Sequence, residues 1–164
     1  MHVGDDECRR HRRHLPHLEV AGATYFVTTI LRRPPAVDLT APAFAEVVIQ
    51  ALRHRDGDTY LLFDYTVMPE HVHFIIKPLG PDGYAVPLGA VVGPLKGWAA
   101  YSINRLTRRS GTLWQDENFE RIVRNRADYR EIAKYILENA QRRGLVSHPV
   151  DWPWWGMGSG GATL

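Results

Sequence analysis

His71 and His73 stand two residues apart in the stretch His71-Val72-His73-Phe74-Ile75-Ile76-Lys77. That stretch reads as a strand, and in a strand residues i and i+2 point to the same face. The two imidazoles therefore project side by side, with Val72 on the opposite face, and can chelate one divalent cation. The same spacing suits two histidines that are merely hydrogen-bonded on a half-buried sheet. A metal site needs a third ligand from elsewhere. Tyr135 and Asn139 are i and i+4 on a helix, one turn apart on one face. If that helix crosses the sheet, Asn139 can offer its amide oxygen to a cation and Tyr135 its phenol to a substrate. A tyrosine beside Ile132 and Ile136 is also an ordinary core residue.

The elements that must position these groups follow from periodicity. Residues 24–30 (TYFVTTI) alternate and are β-branched or aromatic, which predicts a strand that Arg33-Pro34-Pro35 ends. Residues 41–54 carry Phe44, Val47, Val48, Ala51 and Leu52 at helical spacing. Residues 59–67 and 71–77 read as two strands of a hairpin turned at Met68-Pro69-Glu70, followed by a Pro/Gly-rich loop at 78–87. A second helix presents Leu95, Trp98, Ala99, Ile103 and Leu106. Pro94 should start, kink or restart it, and Ser110-Gly111 should end it. After a loop at 112–119, Glu120 to Arg124 suits a short strand. Residues 126–143 form the best helix, with Gly144 as its stop. The order predicts an α+β fold, an antiparallel sheet covered by helices in a ferredoxin-like arrangement. Residues 1–17 read as a basic N-terminal arm, 18–155 as the folded domain, and 156–164 as a flexible glycine-rich tail.

The 164 residues carry a formal net charge of only +2, but unevenly. Positions 9–33 hold six arginines against Glu19 alone, and positions 96–143 hold eleven basic residues against six acids. Nearly all are arginine, whose planar fork pairs bidentately with phosphate oxygens. A polyanion-binding face and a merely solvated surface both accommodate this pattern. No apolar run approaches the roughly 20 residues needed to span a bilayer, so no membrane role is expected. The polar N-terminus is not expected to be a secretory signal. Cys8 is the single cysteine, so no internal disulfide is possible, which fits a reducing cytoplasm.

Pro69-Glu70-His71-Val72-His73, preceded by an apolar strand ending Val67-Met68, resembles the signature of the HUH single-tyrosine transposases. Leu95-Lys96, Ile103-Asn104, Leu113-Trp114-Gln115, Phe119, Arg124, Asp128-Tyr129, Tyr135-Ile136, Asn139, Gly144-Leu145-Val146 and Asp151-Trp152-Pro153 follow in an order similar to the REP-associated tyrosine transposase branch. The resemblance runs from about Tyr25 to Trp154. Ala140 departs from it, since the family often has proline after the helix asparagine.

The resemblance implies an HUH endonuclease architecture for 18–155, with the histidine pair on a central strand and the nucleophile on a late helix. It implies His71, His73 and Asn139 as ligands of Mg²⁺ or Mn²⁺, and Tyr135 as the nucleophile. Tyr129, the rival tyrosine, has Ala133 rather than a ligand-type residue at i+4. The implied substrate is single-stranded DNA with a hairpin, cleaved and rejoined through a 5′-phosphotyrosine. Its expected contacts are Arg12, Arg13, Lys96, Arg105, Arg108, Gln115 and Arg124, with Trp114 and one of Trp152, Trp154 or Trp155 stacking on unpaired bases. A monomer or homodimer in the cytoplasm, associated with the nucleoid, is expected. Two other readings stay open: a transposase-derived protein that holds hairpins without cutting them, and a metal-dependent hydrolase that activates water directly.

Overall fold

The computed structural model describes residues 20–84 and 86–162. In chain order the main elements are β1 (Tyr25–Ile30), α1 (Pro42–Arg53), β2 (Tyr60–Val67), β3 (His71–Pro78), α2 (Leu88–Thr107), β4 (Phe119–Ile122), α3 (Arg126–Arg142) and β5 (Trp155–Met157). The strands form one antiparallel sheet in the order β4-β1-β3-β2-β5. The first four strands and two helices have the ferredoxin-like order, with β1 and β2 parallel on either side of β3. The expected α+β class therefore holds, with α3 and β5 added to that frame.

The sheet separates two cores. Val72, Phe74 and Ile76 of β3 face α1 and α2, where they join Val48, Leu52, Leu95, Ala99 and Ile103. Ile75 faces the other way and packs with Phe26, Phe63, Ile132 and Ile136 under α3. By the strand's alternation, His71 and His73 share the α3 face. A register shift between Leu62 and Tyr65 lets β2 turn two consecutive residues, Phe63 and Asp64, toward α3. Strict alternation would have hidden one of them.

Helix α3 is pinned at both ends. The Asn125 side chain accepts from the Asp128 amide at 2.9 Å, and the Asp128 carboxylate accepts from the Arg124 amide at 2.8 Å. These reciprocal bonds satisfy amides that a helix start leaves unpaired. At the far end Gly144 adopts φ +72°, with Gly144 N–H donating to Gln141 and Leu145 N–H to Ala140. That left-handed turn is open to glycine at little cost.

Three expectations change. Helix α2 starts at Leu88 and runs through Pro94, so of the roles expected for that proline the start and the restart are excluded and it sits inside the helix. Burial of Leu88, Val91, Val92, Leu95, Ala99 and Ile103 along one stripe offsets the lost hydrogen bond. The helix stops at Arg108 in the left-handed conformation, with Arg109 N–H donating to Asn104, before Ser110-Gly111 is reached. The third change is at the C-terminal end, where residues 156–157 of the expected flexible tail extend the sheet and residues 159–162 form a short 3-10 turn beside it. β5 pairs Trp155 with Thr66, Gly156 with Tyr65 and Met157 with Asp64. Asp56 then receives the Ser159 amide at 2.7 Å. The glycines serve close approach: a Cβ on Gly156 would run into the Tyr65 phenol, and one on Gly158 would lie 2.6 Å from the Leu62 carbonyl oxygen. The basic arm, with Arg12 and Arg13, lies outside the described residues.

Candidate active site

His73 sits on the central strand of the sheet and is 6% exposed. Its ring centroid lies 4.5 Å from that of His71. The Nδ1 atom of His73 is 2.7 Å from the Thr28 hydroxyl on β1, its cross-strand neighbour. The Nδ1 atom of His71 is 3.3 Å from the Glu70 carboxylate. With both Nδ1 atoms engaged, each ring keeps Nε2 for another partner, the arrangement by which outer groups orient metal-binding imidazoles. Burial pushes His73 down to about 3, and the neighbouring His71 adds to that. Burial also lowers His71, against the pull of Glu70. Both rings are therefore neutral near pH 7 and have lone pairs to give.

Helix α3 crosses this pair. Tyr135 places its ring 5.3 Å from His73, edge-on, and 6.1 Å from Phe26. Two turns further on, Arg143 forms an ion pair with Glu70, beside His71. Asn139 lies midway between those contacts, 6% exposed, and its Oδ1 has no hydrogen-bond partner among the described residues. A buried amide oxygen left unpaired is costly and calls for an explanation. No group of three His, Cys, Asp or Glu side chains among the described residues is arranged to hold a metal ion. If His71 and His73 were to hold a metal ion, the unpartnered oxygen of Asn139 could serve as a third ligand of another type. Two neutral imidazoles and one amide oxygen suit a divalent cation that keeps open positions.

The two tyrosines are sharply distinguished. Tyr129 donates its phenolic hydrogen to the buried Asp64 carboxylate. Burial and that acceptor push Tyr129 well above the ordinary phenol range, and burial raises Asp64 as well. Tyr129 is thus locked in a structural pair. Tyr135 is 37% exposed, and the Arg142 guanidinium lies 5.0 Å from its ring centroid.

The expected nucleic-acid contacts divide differently. Trp114 is 5% exposed and donates its indole hydrogen to the Lys96 carbonyl at 3.0 Å, so the stacking surface expected of it is covered. Gln115 bonds through its amide to Ile30 and through its side chain to Leu31. Lys96 donates to the Gln115 carbonyl and to Asn118. The Leu-Trp-Gln segment is therefore a staple that ties α2 to the end of β1. Arg105 on α2 and Arg108 just past its end are exposed, in the layer behind the sheet, and are not brought to Tyr135. Arg124 is exposed on the α3 side and touches Asp128 at 3.5 Å. Trp152 donates to the Val67 carbonyl, while Trp154 and Trp155 are partly buried against the two cores. These tryptophans close the β2 edge.

Thr28, Glu70, Arg142 and Arg143 belong to this site and were not singled out from the sequence. Glu70 was open to detection because it adjoins His71. Thr28 and the two arginines depend on strand register and helix phase, which no local spacing reveals.

No protein-family model matches the chain. Among curated proteins, an Escherichia coli REP-associated tyrosine transposase is 28% identical over 139 residues, covering 82% of this chain and 76% of that protein. A Haemophilus influenzae protein provisionally assigned to the same class is 25% identical over 141 residues, covering 81% of this chain and 78% of its own. The resemblance is to the REP-associated tyrosine transposases. The fold agrees: a solved REP-associated tyrosine transposase, bound to a REP hairpin, superposes with a TM-score of 0.68 at 24% identity, over 86% of this chain and 80% of that one. Among the described residues no helix is long and apolar enough to cross a membrane.

Proposed function

We propose that this protein is a transposase that cleaves and rejoins single-stranded DNA beside a hairpin, with Tyr135 as nucleophile. The observation that carries the reading is an exposed tyrosine packed against a neutral histidine pair on one sheet face, with a buried, unpartnered asparagine oxygen one turn along the same helix. The hairpin partner is extended to this chain from the solved transposase that is bound to one.

His71, His73 and Asn139 would hold a divalent cation, Mg²⁺ or Mn²⁺. When bound, such an ion supplies Lewis-acid polarisation of a phosphate oxygen. The Tyr135 oxygen attacks the scissile phosphorus as its proton departs. The bond to the 3′ oxygen breaks, and that oxygen leaves as a 3′-hydroxyl after taking up a proton. The product is a 5′-phosphotyrosine, so the phosphate diester is conserved. A later 3′-hydroxyl can displace the tyrosine and rejoin strands without a nucleotide triphosphate. Arg142 orients the Tyr135 ring and sets a positive charge near the incoming phosphate. Arg143 and Glu70 hold His71, and Thr28 holds His73.

Labelled hairpin DNA drawn from the flanks of the protein's own gene, incubated with Mg²⁺ or Mn²⁺ and run on a denaturing gel, tests the proposal. The expected result is a covalent protein–DNA band that Tyr135→Phe abolishes while DNA binding persists. Cleavage by Tyr135→Phe at the rate of the unsubstituted protein would show that water or another residue is the nucleophile.

A further inference from the structure

One row of residues runs straight across the sheet. Phe119 pairs with Thr28, Thr28 with His73, His73 with Thr66, and Thr66 with Trp155. Residues directly opposite in antiparallel ladders point to the same face. Phe119 therefore shares the His73 face, two strands away, roughly 10 Å at ordinary strand spacing. It lies on the outer strand and is 50% exposed, which is unusual for a phenylalanine beside a core. Between Phe119 and the nucleophile lies a groove of about 330 Å³ lined by Phe26, Phe119, Arg121, Glu131, Ile132 and Tyr135. Phe26 forms its aromatic floor, with ring centroids 6.3 Å from Phe119 and 6.1 Å from Tyr135.

The lining selects the class of occupant. Arg121 is already paired with the buried Asp128, and the other charged group, Glu131, is a carboxylate that repels phosphate. The walls are otherwise aromatic or aliphatic. A flat, uncharged group with an apolar face and hydrogen-bonding edges matches such a surface, and the groove is continuous with the candidate active site through Tyr135. We propose that this groove receives an unpaired nucleobase next to the scissile phosphate, stacked on Phe119, with Glu131 at the rim to accept from the base edge. The inference rests on the transposase reading and adds a subsite that places the substrate strand along β4.

A double-mutant cycle on binding tests it. The probes are hairpin DNAs from the gene's flanks, with an abasic site at each unpaired position in turn. They are titrated against protein carrying Tyr135→Phe, so that no strand is cut, with and without Phe119→Ala. One abasic position is expected to weaken binding roughly tenfold when Phe119 is present and to cost nothing further with Phe119→Ala. Phe119→Trp should restore the loss. Independent, additive penalties at every position would overturn the subsite. The adduct assay with the unsubstituted protein is read separately. Coupling at Phe119 without any adduct would contradict the cleavage reaction and keep the base site, and an adduct without coupling would do the reverse.

Discussion

Asn139 and Tyr129 mark the two fates of a polar side chain under α3. Tyr129 has a buried acceptor in Asp64, so its phenol is spent on holding the helix to β2. Asn139 has no partner for its oxygen among the described residues, and it stands one turn beyond Tyr135, whose ring packs against His73. The contrast predicts separable phenotypes. Tyr129→Phe should lower thermal stability by about 1–3 kcal/mol, because it leaves the Asp64 carboxylate buried and unpaired. It should still form the covalent DNA adduct. Asn139→Ala should keep or raise stability, since it removes an unpaired buried oxygen, yet weaken Mn²⁺ binding measured by titration. Loss of adduct formation by a folded Tyr129→Phe protein would reverse the roles given to the two tyrosines.

At the scale of elements, α3 carries half of the candidate site, opposite the histidines of β3, and its caps fix its phase. Asn125→Ala should cost about 1 kcal/mol, as cap losses do, and lower the melting temperature by about 2–4 °C for a chain of this size. Asp128 adds a pH dependence with a definite sign. The Arg124 amide, helped by the Arg124 and Arg121 guanidinium groups, holds its carboxyl below the ordinary value against the effect of burial. The folded state thus favours the ionised form. The contribution is complete above the unfolded carboxylate range and is lost as pH falls through the depressed folded value. Asp128→Asn should therefore flatten the acid limb of a stability-against-pH curve, and an unchanged limb would deny Asp128 this part.

The three helices and the first four strands were legible in the sequence because their apolar spacing narrows the reading. Ile132, Ile136 and Asn139 can share a buried face only on a helix, because the three-residue step would split them on a strand, and His71 and His73 share one on a strand. What was not legible depended on contacts far along the chain. The glycines at 156, 158 and 160 signal freedom locally, whereas Tyr65 and Leu62 across the sheet make all three places of close approach. Trp114 offers the same apolar body and single donor to a DNA base or to the Lys96 carbonyl, and only the packing of α2 selects the second. Asp64 breaks alternation through a bulge that no run of β-branched residues announces.

Across the whole molecule, the sheet puts the candidate site and α3 on one side and α1 and α2 on the other. Basic residues occur on both sides, so charge alone does not locate the DNA. Arg126, Arg130 and Lys134 are exposed on α3, whereas Arg105 and Arg108 are exposed behind the sheet. Affinity for hairpin DNA should fall steeply with salt, as it does when phosphate contacts release counterions. Arg130→Glu should weaken binding and reduce the salt slope, while Arg105→Glu should change neither appreciably. Equal effects from the two reversals would mean that the strand wraps around the α2 layer.

The most direct test isolates the covalent protein–DNA product formed with labelled hairpin DNA and a divalent metal, digests it, and sequences the modified peptide by mass spectrometry. The phosphate should be found on Tyr135, in the peptide that also contains Ile136. A phosphate on Tyr129, or cleaved DNA with no protein attached, would contradict the site described here.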